Sequence, residues 1–339
     1  MTERSPKEGL SELTERLAAA SRVLVTCHLG PDGDALGSMI ALAAILGAQG
    51  KAVTLYNPDL VPRHLKWMPL SRSLVHRLKG NPKFDATVVV DCGDVRLLGD
   101  SFPKHEITGD VLVLDHHASV RPFGDLYVCD PSAASVGVLV YRIAREADWG
   151  IPPEAAMGIY VSIVSDTGSF RYANTNAEAL TIAADLVAAG HVTPWEVSER
   201  MNERSPLSRY KLLSRVLGDL ETTAEGKLAF MTITHEMVAA AKAKWEDTEG
   251  FVGFARSIRG VECGVLLSPA KRGGVRVSMR SKGHLIDAGA VCTALGGGGH
   301  RGAAGCTLKG DDLAAARVQV EAALAAALAA AHDPPADRA

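Results

Sequence analysis

Several features that mark common classes of protein are scarce in this chain. Aromatic residues make up 5% of its 339 residues, which argues against the extended base-stacking surfaces of single-strand-binding proteins. Positive charge is not in excess, because the formal net charge is −3, whereas proteins that coat long nucleic acids usually carry a basic surplus. Any contact with nucleic acid should therefore be local and involve few phosphates.

Paired cysteines and targeting segments are also lacking. None of the six cysteines belongs to a C-x-x-C pair, so zinc ribbons and redox motifs are unsupported, and scattered thiols favour a reducing cytosol. The N-terminus lacks the apolar core of a signal peptide. The Ala-rich segment near 312–332 contains Arg317, Gln319 and Glu321 and predicts a helix of a soluble protein. We expect a cytoplasmic protein without a membrane partner.

Apolar strands and helices alternate through the first half of the chain, and the length suggests two domains. The pattern predicts strands at 23–28, 51–57, 86–93 and 110–117, and helices at 35–50, 135–147, 154–166 and 176–190. Ser135 stands where it could cap the second helix. Near-continuous apolar strands of this kind predict an α/β fold with a doubly wound, mostly parallel sheet covered on both faces.

The pattern changes near residue 191. A polar, proline-containing segment and an amphipathic helix at 208–221 predict a linker and connector over 191–222. A smaller α/β domain is expected at 223–332, with strands at 228–234, 263–269, 274–281 and 306–310. The run GGGGHRGAAG at 296–305 predicts a flexible glycine-rich turn.

Acidic residues and histidines follow the apolar elements of the first half. They share a position just after a strand or at the end of a helix, and they are His28, Asp32, Asp34, Asp91, Asp115, His116, His117 and Asp166. In a doubly wound sheet the carboxyl ends of the strands share one edge, where ligands bind. These chain-distant side chains are therefore expected to converge. Asp94 and Asp130 fit ordinary turns or caps.

Converging carboxylates need positive charge. Two of them about 4 Å apart repel by roughly 4 kcal/mol at an effective dielectric constant of 20. Two divalent cations would balance four aspartates, and the histidines would serve as neutral ligands. The oxygen-rich set without thiolate suits Mn²⁺, with Mg²⁺ as the second choice. The pattern predicts a phosphoesterase in which two metals activate a hydroxide for in-line attack on phosphorus.

Four motifs resemble those of the DHH phosphoesterase superfamily: HLGPDGDALGS, VVVDCGD, LDHHASV and SDTGSF. GGGGHRGAAG, preceded by VRVSMRSKG, resembles the DHH-associated C-terminal domain, so the resemblance runs from about residue 10 to 325. The domain pair is most similar to the bacterial nanoRNase and 3′-phosphoadenosine-5′-phosphate (pAp) phosphatase group. The resemblance implies a DHH catalytic domain at 1–190 and a DHH-associated substrate-binding domain at 223–332, with a cleft between them.

The resemblance also implies a role for each motif residue. It assigns His28 and Asp32 to one metal, Asp34, His116 and Asp166 to the other, and Asp91 to a bridge between them. Asp115 would orient a histidine, and His117 would face the substrate phosphate and assist proton transfer. Where relatives often carry Asn, this chain has Gly30, which puts only a local hydrogen bond in doubt.

The second domain is expected to hold the far part of the substrate. Its implied substrate-binding residues are Arg280, Gly297, Gly298, Gly299 and His300, and the adjoining Arg301 joins them because of its charge. Glycines let a backbone approach an anion closely, with amides free to donate.

The resulting hypothesis is hydrolysis of short RNA or DNA oligonucleotides, pAp, or both, and not of long nucleic acid. Cleavage of cyclic or linear dinucleotide signals stays open. A RecJ-type exonuclease would need further nucleic-acid-binding domains, and a manganese-type pyrophosphatase lacks the GGGGH loop. A nucleotide sensor on an inactive scaffold would have lost a ligand, and none is missing. The oligomeric state, including a homodimer, is left open.

Overall fold

The structure, a computed structural model, divides the chain into two compact units, Met1–Arg204 and Ser205–Ala339. The residues that it describes are 5–80, 82–117, 120–271 and 273–332.

The first unit is built on a five-stranded parallel sheet with the order β2-β1-β3-β4-β5. Its strands are β1 (Arg22–Cys27), β2 (Ala52–Leu55), β3 (Ala86–Val90), β4 (Asp110–Asp115) and β5 (Leu126–Cys129). Burial is continuous along β3 and along all but the first residue of β1 and β4, because both faces of the sheet are covered. The chain reverses its direction of travel across the sheet between β1 and β3, which is where ligands bind in folds of this order.

Helices cover mainly one face of this sheet. They are α1 (Pro6–Ala19), α2 (Gly33–Ala48), α3 (His105–Thr108), α4 (Val136–Glu146), α5 (Pro153–Asp166), α6 (Ala177–Ala188) and α7 (Pro194–Ser198). The largest core cluster joins α1, α2, α4 and α5 to the sheet. The opposite face is covered by smaller clusters that include Phe84, Phe102 and Phe123. Single 3₁₀ turns occur at Arg63–Leu65, Ser71–Ser73 and Val95–Leu98, and a π turn at Glu199–Glu203.

Two glycines bring the backbones of α2 and α5 into direct contact. A Cβ on Gly37 would lie 2.5 Å from the carbonyl oxygen of Gly158, and a Cβ on Gly158 would lie 2.5 Å from that of Gly37. Real Cβ atoms do not approach backbone so closely, so any larger residue would push the helices apart. The crossing places Asp34 on α2 beside Ser162 on α5.

The second unit contains a six-stranded mixed sheet with the order β10-β11-β9-β8-β7-β6. Its strands are β6 (Glu221–Thr223), β7 (Leu228–Thr232), β8 (Cys263–Pro269), β9 (Val275–Ser281), β10 (Gly298–His300) and β11 (Ala303–Leu308). Its helices are α8 (Leu207–Gly218), α9 (His235–Ala241), α10 (Val252–Arg256), α11 (Ala288–Ala294) and α12 (Leu313–His332), with a 3₁₀ turn at Trp245–Thr248. Separate apolar clusters cover its two faces. The predicted fold class is confirmed: a doubly wound parallel sheet plus a smaller α/β unit.

Three differences from the sequence-based expectations concern residues near the candidate sites. The strand β5 was not predicted, because LYVC is short and lies among polar residues. Ser135 does occupy the N-cap position of α4, but its side chain makes no capping hydrogen bond there, since its hydroxyl lies 2.8 Å from that of Ser162. The glycine-rich run is not a simple flexible turn, because Gly298–His300 pairs with β11 as a strand.

The helix α12 is the one stretch of the described residues that is long and apolar enough to cross a membrane by length and composition. The segment is Leu313–Ala331, and 22% of its most apolar 18-residue window is buried. This property is weak evidence, because core helices meet the same criterion. One face of α12, carrying Ala316, Val320, Leu324 and Leu328, packs into the core of the second unit.

Candidate metal centre

The described residues place the predicted acids and histidines of the first unit at one edge of the parallel sheet. His28 directly follows β1, and Asp91 directly follows β3. Asp32 caps α2 by accepting the backbone N–H of Ala35, and Asp34 lies in the first turn of the same helix. The other members come from the ends of two elements: Asp115, His116 and His117 from β4, and Asp166 from α5.

His28 presents its Nε2 atom to this cluster. Its Nδ1 lies 2.8 Å from the carbonyl oxygen of Leu29. Because a carbonyl only accepts, the proton of a neutral imidazole belongs on Nδ1, and Nε2 keeps its lone pair. That Nε2 atom lies 3.6 Å from Oδ2 of Asp91. His28 is therefore oriented as a neutral ligand for a metal ion.

His116 is oriented by the same device. Its Nδ1 lies 3.1 Å from the carbonyl oxygen of Ala133, so its Nε2 is the ring atom that faces the cluster. This Nε2 lies 3.5 Å from Oδ2 of Asp34, 3.6 Å from Oδ2 of Asp166 and 3.8 Å from Oδ1 of Asp91. One imidazole nitrogen thus faces three carboxylates that come from three different elements.

Asp91 lies between the two histidines and has an unsatisfied oxygen. It is 4% exposed, and its Oδ1 has no hydrogen-bond partner among the described residues. Its backbone adopts φ = 55°, a left-handed conformation that Asp tolerates better than most residues but that still costs about 1 kcal/mol or more. A buried carboxylate oxygen without a donor is costly unless a cation satisfies it.

Asp34 is held by a buried network of hydrogen bonds. Its Oδ1 accepts the hydroxyls of Ser38 at 2.9 Å and Ser162 at 2.7 Å, and its Oδ2 accepts the N–H of Val136 at the start of α4 at 3.0 Å. Ser162 also accepts the backbone N–H of Gly137 at 2.9 Å. Both Asp34 and Ser162 are almost wholly shielded from solvent. The carboxylate therefore has one fixed orientation.

Electrostatics explain why these groups cannot all carry their usual charge. Burial, reinforced by the charge of Asp91, raises the pKa of Asp34 well above its ordinary value. Burial likewise raises the pKa of Asp166 to about 6, despite the opposing effect of His116. For His28, burial acts to lower the pKa, but Asp91 and Asp32 outweigh it and raise the pKa to about 10. The protein's own groups supply too little positive charge for this many buried carboxylates.

These residues fit a pair of divalent cations. His28, Asp32 and Asp91 offer ligand atoms that lie within 4.8 Å of one another, and so do Asp34, Asp91 and His116. Asp91 belongs to both groups and is the one carboxylate placed to bridge them. The donor set consists of carboxylates and imidazoles without thiolate, which suits Mn²⁺ or Mg²⁺.

Asp115 and His117 form a separate hydrogen-bonded pair. Asp115 is fully buried, and its Oδ1 accepts Nδ1–H of His117 at 2.6 Å. Although burial acts to raise it, the contact with His117 holds the pKa of Asp115 below its ordinary value. The same contact outweighs burial at the histidine and raises the pKa of His117 to about 9. His117 is one-quarter exposed, so its ring reaches solvent.

The glycine-rich residues of the second unit form one side of a hairpin. A Cβ on Gly297 would lie 2.2 Å from the carbonyl oxygen of Gly305, and one on Gly299, where φ is 137°, would lie 2.5 Å from Cα of Ala304. A Cβ on Gly298 would meet nothing within 4 Å. Two of the glycines are therefore required by backbone packing, whereas Gly298 faces open space.

The charged residues predicted for substrate binding differ in their surroundings. Arg280 lies on β9, opposite Ala303 of β11, and donates to the carbonyl of Met279 at 3.0 Å. His300 ends β10. Arg301 donates Nε–H to the carbonyl of Gly283 at 2.7 Å, so it ties the hairpin turn to the loop after β9.

Three residues that contact the cluster have no motif to reveal them. They are Ser162, Tyr127 and Asn174. Asn174 donates to Oδ2 of Asp166 at 3.2 Å. Isolated serines, tyrosines and asparagines are common everywhere, so no sequence pattern could have identified these residues.

The family model described as "DHH family, N-terminal domain" matches residues 22–190, and that of the DHHA1 domain matches residues 226–327. A Thermus thermophilus protein named bifunctional oligoribonuclease and PAP phosphatase NrnA is 34% identical over 298 residues, which is 87% of each chain. The chain belongs to the DHH family. The resemblance inferred from the motifs is thereby confirmed.

Other relatives agree with this membership. A Bacillus subtilis protein with the same name is 25% identical over 303 residues, covering 88% of this chain and 93% of that one. The crystal structure of an exopolyphosphatase-related protein from Bacteroides fragilis matches with a TM-score of 0.87 and 25% identity, over 98% of this chain and 100% of that one. This DHH-family chain is a phosphoric ester hydrolase, and the family is metal-dependent.

Proposed function

We propose that this chain is a Mn²⁺-dependent phosphoesterase that hydrolyses short oligonucleotides and 3′-phosphoadenosine-5′-phosphate. The observation that carries the proposal is the position of Asp91, whose buried carboxylate is shared by two groups of potential ligands in a DHH-family chain. The names of the Thermus and Bacillus relatives, oligoribonuclease and PAP phosphatase, support this substrate class.

In this proposal the cluster holds two cations. His28 and Asp32 would hold one, Asp34, His116 and Asp166 would hold the other, and Asp91 would contribute to both. Bound cations would lower the pKa of a water molecule so that it reacts as hydroxide, and they would supply charge that stabilises the phosphoryl oxygens. The fixed imidazoles and the pinned Asp34 carboxylate preorganise the site, so little rearrangement is needed when it fills.

His117 has a different task in the proposed reaction. Its Nδ1 is hydrogen-bonded to Asp115, so we assign the contact with the substrate to Nε2. From there a protonated ring donates a hydrogen bond to a phosphoryl oxygen, and a neutral ring accepts a proton. Asp115 holds the ring in place, with its Oδ1 hydrogen-bonded to His117 and its Oδ2 to Tyr127.

Selectivity for short substrates follows from the charge balance and from the second unit. The net charge of −3 shows no basic excess, whereas affinity for long strands depends on many contacts between basic residues and phosphates. Arg280, His300 and the amides of Gly297–Gly299 are proposed to bind the remainder of a short substrate. The exposed Arg301 adds a nearby positive charge while it secures the turn.

A hydrolysis panel tests the proposal. The protein, stripped with a chelator and reloaded with Mn²⁺ or Mg²⁺, is given pAp, RNA and DNA of roughly two to five nucleotides, and linear and cyclic dinucleotides. It is also given pyrophosphate and single strands of about thirty nucleotides. We expect the highest kcat/KM on pAp or the shortest oligonucleotides, with Mn²⁺ the better metal. A preference for the long strand would contradict the proposed substrate class, and a preference for pyrophosphate would contradict the reaction.

His300→Ala tests, in the same hydrolysis assay, whether the second unit binds the substrate. We expect KM for the preferred substrate to rise about tenfold, the effect of losing roughly one charged hydrogen bond, while kcat stays within about twofold. An unchanged KM would remove His300 from the substrate site.

A further inference from the structure

The edge strand β5 is paired with β4, which leads into the segment Asp115–His117. Cys129 pairs with Asp115 in the parallel register of β4 and β5, and Tyr127 lies two residues earlier on the same side of the strand. The Tyr127 hydroxyl donates to Oδ2 of Asp115 at 2.6 Å, and the Cys129 thiol donates to the carbonyl oxygen of His117 at 3.2 Å. This strand therefore contacts both the carboxylate and the backbone that set the position of His117.

The Asp115 carboxylate is saturated by two partners on opposite oxygens. Oδ1 accepts Nδ1–H of His117, and Oδ2 accepts the phenol of Tyr127, both at 2.6 Å. Hydrogen bonds to an ionised acceptor at this length are the strong class. With one oxygen fixed by Tyr127, the plane of the carboxylate is fixed, and so is the direction from which the imidazole is held.

The tyrosine ring is itself held in place. It packs with the cluster of Val89, Val111 and Val113 on the face of the sheet away from the main helices, and its centroid lies 6.0 Å from that of Phe123. Burial and the neighbouring Asp115 charge raise the pKa of Tyr127 far above its ordinary value, so its hydroxyl remains a donor throughout the physiological range. A rigid ring with a permanent donor is suited to orient a carboxylate.

We propose that Tyr127 is a positioning residue for His117, acting through Asp115 in a chain of two short hydrogen bonds. The inference rests on the proposed function, because it concerns how the phosphate-facing imidazole of that site is aimed. Tyr127 contacts Asp115, which the proposed function assigns to neither metal nor substrate. Its effect should therefore appear in the chemical step and not in substrate binding.

Tyr127→Phe tests this inference, because it removes the hydroxyl and leaves the ring. We expect kcat to fall about tenfold, as is usual when a partner behind an active-site histidine is lost, while KM stays within about twofold. Affinity for Mn²⁺, measured by titration calorimetry, should not change, since no ligand is touched. In the metal-stripped protein, the downfield imidazole N–H proton of His117 should shift in the NMR spectrum, because Asp115 now accepts from one partner only.

Tyr141→Phe is the matched control. Tyr141 lies in the same unit and also donates its hydroxyl to a carboxylate, that of Asp185 at 3.0 Å, on the surface of the protein. Its removal deletes the same chemical contact without touching the cluster. We expect no change in kcat, KM or the His117 resonance, which His117→Ala assigns by its disappearance.

The outcomes separate the inference from the function on which it rests. If Tyr127→Phe leaves both kcat and the His117 proton unmoved, the positioning role is wrong and the phosphoesterase proposal stands. If kcat falls no more than in Tyr141→Phe while KM rises, Tyr127 acts on binding and the inference is again overturned. If the wild-type protein hydrolyses no member of the panel, the proposed function fails, and the NMR measurement still decides whether Tyr127 orients His117.

Discussion

The metal cluster of the first unit and the glycine-rich hairpin of the second are built in contrasting ways. The cluster is assembled from side chains far apart in the chain, such as His28 and Asp91, that meet because parallel strands end at one edge. The hairpin is more local: a Cβ added at Gly297 or Gly299 would meet chiefly the backbone of residues 303–306. One site depends on polar side chains, and the other on the absence of side chains.

The contrast indicates where each site is vulnerable. In the cluster, loss of one functional group leaves buried partners unsatisfied, so damage should spread through hydrogen bonds. In the hairpin, addition of a single methyl group should lower stability at one glycine and leave it unchanged at the neighbouring glycine. Four predictions test this distinction, from the largest expected effect to the smallest.

Asp91→Asn should have the largest effect. The substitution keeps the shape and tolerates the left-handed backbone, but it removes the bridging charge. Loss of several kcal/mol of transition-state stabilisation corresponds to a fall in kcat of about a thousandfold. Mn²⁺ binding, followed by calorimetry, should weaken in parallel. Asp94→Asn is the control, because Asp94 pairs with Arg96 outside the cluster, and it should retain activity. Full activity of Asp91→Asn would refute the bridging role.

Ser162→Ala tests whether damage spreads through the network around Asp34. It leaves the buried N–H of Gly137 and the hydroxyl of Ser135 without their partner, so we expect the free energy of unfolding to fall by about 2–3 kcal/mol. Affinity for Mn²⁺ should fall roughly tenfold or more as Asp34 loses its fixed orientation. Thr181→Ala, which removes an exposed hydroxyl on α6, should change unfolding by less than about 0.5 kcal/mol. If Ser162→Ala and Thr181→Ala lowered the free energy of unfolding equally in urea denaturation, the network around Asp34 would not matter for stability.

Gly297→Ala and Gly298→Ala test the hairpin as a pair. The new methyl group at 297 would overlap the backbone of Gly305, so we expect a loss of about 1–3 kcal/mol in unfolding free energy. At 298 the methyl group enters open space, and the expected change is within about 0.5 kcal/mol. Thermal denaturation measures both. If the two variants were equally stable, the proposed backbone packing of the hairpin would be wrong.

Asp130→Asn is the reference outside both sites, and its effect on stability is expected to be small. Burial acts to raise the pKa of Asp130, but Ser132 and Arg142 outweigh it and hold the pKa below its ordinary value. A carboxylate with a depressed folded-state pKa contributes stability above its unfolded pKa and loses it as pH falls through the folded value. We expect Asp130→Asn to cost about 1 kcal/mol near neutral pH.

The test is to measure how the difference in unfolding free energy between wild type and Asp130→Asn depends on pH. In urea titrations the difference in unfolding free energy between wild type and Asp130→Asn should begin to narrow as the pH falls below the ordinary Asp pKa of about 4, because the unfolded chain then takes up a proton before the folded one does. It should close once the folded side chain is protonated as well. A gap independent of pH would show that the Asp130 charge contributes nothing.

Most of the cluster could be predicted from sequence because its members mark the ends of strongly apolar strands. His28 and Asp91 follow runs whose burial is nearly complete, and the topology of a parallel sheet brings such ends together. The orientation of each imidazole could not be predicted, because it depends on carbonyl groups such as that of Ala133, which every residue possesses.

Each feature that was not predicted from the sequence has a physical explanation. The strand β5, which supplies Tyr127, is only four residues long, and periodicity over so few positions is uninformative. The strand β10 consists of Gly298, Gly299 and His300, and glycine shows no alternation of side chains by which a strand is recognised. Ser135 had the correct position for a cap, but a buried neighbour on another helix competed for its hydroxyl.

The crossing of α2 and α5 at Gly37 and Gly158 has an evolutionary consequence. Each glycine is closed off by the other's backbone, so no neighbouring side chain can shrink to accommodate a mutation at either one. A lineage cannot exchange one glycine first and repair the damage later, because every intermediate separates Asp34 from Ser162. We therefore expect both positions to remain glycine in descendants that keep the metal site. Substitutions at the two positions should occur, and occur together, only in descendants that have lost the site.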